Sequence, residues 1–147
     1  MLSVFSDDYF MKQAMMEAQD AYDKGEVPVG AVIVSNNTII AKGHNQTEIL
    51  SDITAHAEII VITAASNYLG SKYLDDCTLF VTLEPCIMCA GALKWAQIGR
   101  IVYGASDDKS GFMKYGKELL HPETKLEFGI MHDECRHLIK EFFSIRR

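Results

Sequence analysis

No stretch of this chain approaches the roughly 20 consecutive apolar residues needed to cross a bilayer, although 48% of its 147 residues are hydrophobic. The start, Met1-Leu2-Ser3-Val4-Phe5-Ser6, has neither a basic segment nor a cleavage pattern, so it does not read as a signal peptide. The expectation is a cytoplasmic protein with no membrane attachment. Internal repeats and low-complexity segments are also lacking. Length and apolar content suit one domain over residues 1–147, built on one core. Positive charge is scarce: the net charge is −6, which argues against a dedicated polyanion binder. The deficit is uneven, however. Residues 1–93 carry 4 Lys/Arg against 12 Asp/Glu, whereas residues 94–147 carry 10 against 8 and end in Arg146-Arg147. That allows a locally basic C-terminal face on an acidic body, although a solvated tail without a partner is the plainer reading of charge alone. Cysteine is limited to Cys77, Cys86, Cys89 and Cys135. In a chain of this length with no export signal, those thiols point to metal binding or burial rather than to disulfides.

What is present has clear periodicity. Ser6 can cap a helix whose apolar residues Phe10, Ala14, Met15, Ala18, Ala21 and Tyr22 recur at helical spacing, with Gly25 as its stop. Residues 29–34 form a β-branched run, Ser35-Asn36-Asn37 a turn, and residues 38–41 a returning strand, together a β-hairpin. A polar loop through His44-Asn45-Gln46 leads to a helix from about Thr54 to Asn67, closed by Leu69-Gly70. Strands are expected at 77–82, 101–104 and 126–130. Pro85 is expected to open a helix that carries Cys86 to about Gln97 and ends at Gly99. Residues 105–125 read as loop with one helical piece near Met113–Leu120, and residues 133–143 as a last helix. A helix, a hairpin, then strands alternating with helices predicts an α/β fold: a mixed sheet covered by helices on both faces. The direction of the last strand is open.

Two segments carry chemistry: Thr54-Ala55-His56-Ala57-Glu58 and Glu84-Pro85-Cys86-Ile87-Met88-Cys89. Each lies where a helix should begin. Cys86 and Cys89 are three residues apart and share a face of a helical turn, and a helix N-terminus favours the thiolate that a metal requires. His56 adds a nitrogen from a second helix start. Two sulfurs and one nitrogen leave the fourth tetrahedral position of a Zn2+ ion to water, the pattern of a catalytic rather than a structural site. Glu58 lies two residues from His56 and projects elsewhere, so it is expected beside the metal and outside its shell. There it can take a proton from water and return it to a substrate nitrogen and a leaving group. Taken singly, the Cys-x-x-Cys could be a redox pair or half a structural zinc site, and the histidine could be packing. Together, His-x-Glu followed by Pro-Cys-x-x-Cys matches the pattern of zinc base deaminases. Cys77 and Cys135 read as buried thiols. His44, His121, His132 and His137 read as structural or solvated.

At these residues the chain resembles the bacterial tRNA adenosine deaminases, which convert a wobble adenosine to inosine. The matching stretches are residues 25–34, Thr54-Ala55-His56-Ala57-Glu58-Ile59, Thr82-Leu83-Glu84-Pro85-Cys86-Ile87-Met88-Cys89-Ala90-Gly91-Ala92, Val102-Tyr103-Gly104-Ala105 and the tail Phe142-Phe143-Ser144-Ile145-Arg146-Arg147. The chain departs from the family pattern at Ile53, at Phe112-Met113-Lys114-Tyr115-Gly116 and at residues 121–125. The resemblance implies a cytidine deaminase-like fold, a three-layer α-β-α sandwich around a five-stranded mixed sheet. It implies one Zn2+ per chain, a tRNA anticodon loop as partner, and a homodimer. It also implies residue roles. Asn45 would read the base, Ala57 would donate its N–H to the purine C6 substituent, and Val29 and Leu83 would line the base pocket. Asp107 would contact the ribose or its neighbours, and Phe143, Arg146 and Arg147 would touch the RNA. The rival readings are a deaminase of a free base or nucleotide, from guanine or a cytosine derivative, and a non-catalytic zinc-stabilised binding module.

Overall fold

The computed structural model describes residues 6–145. Helix α1 (Asp7–Asp23) starts at Ser6, whose backbone is extended and whose side-chain oxygen accepts the Tyr9 N–H. It ends before Gly25, which takes the left-handed conformation with φ 80°. Strands β1 (Gly30–Ser35) and β2 (Thr38–His44) form the expected antiparallel hairpin. Asn36 and Asn37 both have positive φ, as a two-residue turn matched to strand twist requires. The remaining elements are α2 (Ala57–Leu69), β3 (Cys77–Leu83), α3 (Ile87–Ala96), β4 (Arg100–Ala105), β5 (Lys125–Phe128) and α4 (His132–Ile145).

The five strands run in the order β2-β1-β3-β4-β5. β1 pairs antiparallel with β2 and β3, and β3, β4 and β5 are mutually parallel neighbours, which settles the direction of the last strand. Alternate residues of β1, β3 and β4 point to opposite faces. On one face Ala31, Ile33, Leu79, Val81, Ile101 and Tyr103 meet Ala57, Val61 and Ala65 of α2 and Ala90, Leu93 and Ala96 of α3. On the other, Val32, Val34, Phe80 and Val102 meet Phe10, Met11 and Ala14 of α1. Helix α4 joins that second layer: Tyr22 of α1 lies against Phe142, and the Cys135 thiol contacts Met15 Sδ at 3.3 Å. This is the expected three-layer sandwich. Cys77 and Cys135 are buried free thiols, also as expected.

Several boundaries differ from the sequence expectation, and those nearest the site have local reasons. Helices α2 and α3 begin later than read, because His56 and Cys86 are extended cap residues rather than first-turn residues. Pro85 therefore stands outside α3, at the exit from β3. The left-handed Gln97 ends α3 before Gly99, and Gly99 instead lets the chain pass close to the Asp75 carbonyl, where a Cβ would collide. The single helical piece expected near 113–120 is two short 3-10 turns, Phe112–Lys114 and Lys117–Leu119, separated by Gly116 at φ 107°. Among the described residues no helix is long and apolar enough to cross a membrane.

Candidate metal centre and pocket

The order β3-α3-β4 places the start of α3 at the C-terminal end of two parallel strands, the edge where α/β sheets open a crevice. Helix α2 packs on the same face, so its start meets that of α3. Cys86 caps α3 and Cys89 is its third residue, so both thiols turn toward the capping residue of α2, His56. His56 Nδ1 is 3.6 Å from Cys86 Sγ and 3.5 Å from Cys89 Sγ. The three ligand atoms all lie within 4.8 Å of one another, so one ion can touch all three. Among the described residues this is the cluster of its kind. The electrostatics agree with that use. The Cys89 thiol hydrogen-bonds to Cys86 and, helped by His56, brings the Cys86 thiol down to about 4. Cys89 is pushed up by the same hydrogen bond and by its burial, and His56 is raised chiefly by its bond to Cys86. Without a metal, one thiolate is thus stabilised by two proton-bearing neighbours, and a cation is the natural replacement for those protons.

Glu58 is the second residue of α2, is only 3% exposed and faces the same cavity. Burial raises its carboxyl to about 7. A group balanced between its two forms near neutrality is suited to carry a proton in both directions. The cavity has a volume of about 470 Å³ and takes in His56, Glu58, Cys86, Asn45, Val29, Leu83 and Asp107. All but Ala57 and Cys89 of the expected metal, catalytic and pocket residues therefore line one space, and those two are fully buried behind it.

Two expectations change in detail. The Ala57 N–H, read as a donor to the substrate, donates instead to Asn45 Oδ1 at 2.7 Å. Ala57 therefore orients Asn45, and Asn45 was expected to present donor and acceptor together. With Oδ1 engaged, the amide Nδ2 donor is what it chiefly has left for a base. Asn45 is held from behind as well: its own N–H donates to the Val29 carbonyl, and its carbonyl contacts His44 Nδ1 at 2.9 Å. Phe143 is half exposed and lies in an adjoining groove, while Arg146 and Arg147 fall outside the described residues.

Sequence reasoning missed two residues. Glu26 and Glu84 are buried acids, each holding a loop that lines the cavity. The available signal was an acidic residue between apolar runs and close to proline, in Glu26-Val27-Pro28 and Glu84-Pro85. A carboxylate in such a place must find hydrogen-bond donors.

The fold and the centre define the class, a deaminase. The profile of the MafB19-like deaminase family matches residues 5–147. The chain is 45% identical over 142 residues to the tRNA-specific adenosine deaminase of Aquifex aeolicus, covering 93% of both chains. It is 42% identical to the protein of that name from Bacillus subtilis, covering 93% of this chain and 88% of the relative. A solved structure from a study of A-to-I editing by tRNA:A34 deaminases superposes with TM-score 0.83 at 40% identity, over 88% of this chain and 98% of that one. A guanine deaminase structure from Bacillus subtilis is 41% identical but covers 69% of this chain and 65% of that one, with TM-score 0.66. This chain belongs to the family of tRNA-specific adenosine deaminases.

Replacing Cys86 with serine removes a soft ligand without changing its size. Elemental analysis of purified Cys86→Ser protein is expected to show metal far below one equivalent per chain, while a Cys77→Ser protein keeps its full complement.

Proposed function

We propose that this chain is a zinc-dependent hydrolase that converts the wobble adenosine of a tRNA anticodon loop to inosine with release of ammonia. The observation that carries the RNA half of this reading is a second groove, of about 760 Å³, continuous with the metal pocket through Val27, Leu83, Asp107 and Ser110. Lys109, His132, Arg136, Lys140 and Phe143 line it. Three cations, a histidine and an aromatic ring beside a buried catalytic pocket suit a phosphate backbone and an unstacked base. A free base would have no use for them. The net charge of −6 is compatible with this, because Lys109, Arg136 and Lys140 outnumber Asp107 and Asp108 along the groove.

The donor set supports zinc. Tetrahedral zinc, with bonds of about 2.3 Å to sulfur and about 2.05 Å to nitrogen, separates neighbouring S and N ligands by about 3.5 Å. The two observed separations are 3.6 and 3.5 Å. When bound, zinc would supply Lewis acidity toward a water molecule at the open fourth position.

The chain's own residues account for the rest. Asn45 Nδ2 orients the purine, and Val29 and Leu83 flank its ring. Glu58 removes a proton from the attacking water and delivers it to purine N1 as the C6–O bond forms. It then carries the second proton to N6, and the C6–N6 bond breaks with ammonia leaving. Asp107 stands at the junction of pocket and groove, where the ribose of a flipped nucleotide would lie. The tail residues Phe143, Arg146 and Arg147 extend the RNA surface of α4 in this reading.

We infer that the chain assembles as a homodimer. The outer face of α2 and α3 supports it. Trp95 of α3 is 84% exposed beside Tyr73 of the α2–β3 loop, and Tyr68 of α2 and Ile87 of α3 are also exposed. Such a patch is costly to leave in water. Free thiols and a tRNA substrate support the cytoplasm as the site of action.

Purified protein is expected to form inosine in an anticodon stem-loop with wobble adenosine, and to leave guanine and dCMP unchanged. Turnover of a small molecule without inosine in the RNA would replace this reading by the free-base one. Glu58→Gln should keep one zinc per chain and lose about 10²–10⁴-fold or more in rate. Retained activity would remove Glu58 from its role, and zinc loss would make it structural.

Arg136→Ala and Lys140→Ala should each weaken stem-loop binding and lower the slope of log K against log salt by about 1. An unchanged slope in both would place the RNA elsewhere.

Sedimentation velocity is expected to give twice the chain mass for the wild type and a shift toward single chains for Trp95→Glu. A monomeric wild type would overturn the dimer.

A further inference from the structure

The cavity has two walls built from irregular backbone: the loop after β2, which contributes Thr47, Glu48, Ser51 and Asp52, and the loop after β4, which contributes Asp107 and Ser110. Irregular backbone next to a cavity holds its shape only if its polar groups are tied down. Each wall is tied by one buried carboxylate on its own side. Glu26, 1% exposed, accepts the Glu48 N–H on Oε1 at 3.1 Å and the Ile49 N–H on Oε2 at 2.8 Å, with the Thr47 hydroxyl also donating to Oε1. Glu84, 6% exposed, accepts the Asp107 N–H on Oε1 and the Met113 N–H on Oε2, each at 3.0 Å. Two further contacts zip the second wall to the segment between β3 and α3 that carries Cys86. Phe112 N–H donates to the Pro85 carbonyl at 2.9 Å, and Gly111 bridges Cys86. Gly111 has no room for a side chain, because a Cβ there would strike the Glu84 carboxylate.

We propose that Glu26 and Glu84 are positioning residues that set the width of the substrate pocket, each bracing one wall through paired backbone N–H bonds, and so determine which substrate the metal centre can hold. Neither lies in the ligand set, and neither is needed to move a proton. Glu84 has the larger reach. It ties Asp107, at the mouth of the RNA groove, to the segment 84–86 that delivers Cys86. The kinetic arm of the test rests on the proposed RNA reading; the exchange arm does not.

Glutamine matches the shape of each acid but turns one acceptor into a donor that faces a backbone N–H. The test compares Glu84→Gln and Glu26→Gln with the wild type as zinc-loaded protein, by amide hydrogen exchange and by steady-state kinetics on the stem-loop. Glu84→Gln is expected to speed exchange roughly tenfold in peptides spanning 105–114 and to leave 46–53 unchanged, and Glu26→Gln is expected to do the reverse. A general loss of stability would move both segments in both variants. In kinetics each variant should raise KM by about tenfold with kcat within about threefold and zinc retained. Exchange that stays at the wild-type rate, or rises everywhere alike, overturns the braces. Local loosening with unchanged KM overturns their role in substrate fit. If the wild type makes no inosine, the RNA reading fails, and the exchange data still decide whether the two carboxylates hold the walls.

Discussion

Three ligand atoms from two helix starts lie within 4.8 Å of one another, and the rest of the architecture serves that convergence. It requires α2 and α3 to pack side by side on one face of the sheet, with small residues at the contact. Ala57, Ala65, Ala90 and Ala96 are buried there. It also requires a parallel β3–β4 pair, because only a crossover helix begins at the strand end and points its N–H groups into the crevice. The hairpin adds the third side. Val29, just before β1, receives the Asn45 N–H just after β2, so Asn45 is fixed to the same sheet edge as the His56, Cys86 and Cys89 cluster. Gly30 lies so close to α1 that a Cβ would collide with the Ala14 carbonyl, and its N–H is taken by the Thr82 hydroxyl. That close approach locks the sheet edge to the opposite helical layer.

Much of this was legible in the sequence, and for identifiable reasons. The hairpin follows from a β-branched run and an Asn-Asn turn whose residues tolerate positive φ. The candidate ligand set follows from spacing: thiols three positions apart, and a histidine at another helix start. The roles of His56 and Cys86 as caps were less legible. A capping residue is extended while its neighbours are helical, and composition does not separate the two at a single position. The direction of β5 was not legible because a four-residue strand carries no orientation in its pattern. The engagement of Ala57 N–H by Asn45 was hidden for another reason. It is a contact across twelve residues, made by a backbone group that every residue has.

The buried acids show the limit of the reading more sharply. Glu58 was found because its position relative to His56 gave it a chemical task. Glu26 and Glu84 have tasks that exist only in three dimensions, since their partners are N–H groups at 48, 49, 107 and 113. Yet all three sit in nearly apolar surroundings, where an unpaired carboxylate would be costly. Their environments separate them. Glu84 and Glu26 each receive two backbone donors. The Glu58 carboxyl is raised to about 7, chiefly because burial dominates there. The two backbone donors at each of Glu26 and Glu84 mark acids that hold a loop.

The same division explains how one centre can serve several substrates. The metal ligands and Glu58 stand on α2 and α3, whose packing against the core leaves little freedom. The walls are loops, whose shape depends on a few backbone hydrogen bonds and whose sequence can change without disturbing that core. Relatives of similar fold include a guanine deaminase as well as adenosine deaminases acting on tRNA. In this chain the second wall continues into a groove lined by Lys109, Arg136 and Lys140 together with Asp107 and Asp108. An acidic chain can then bind a polyanion, because attraction over roughly a 10 Å screening length depends on the charges at the groove and not on the total.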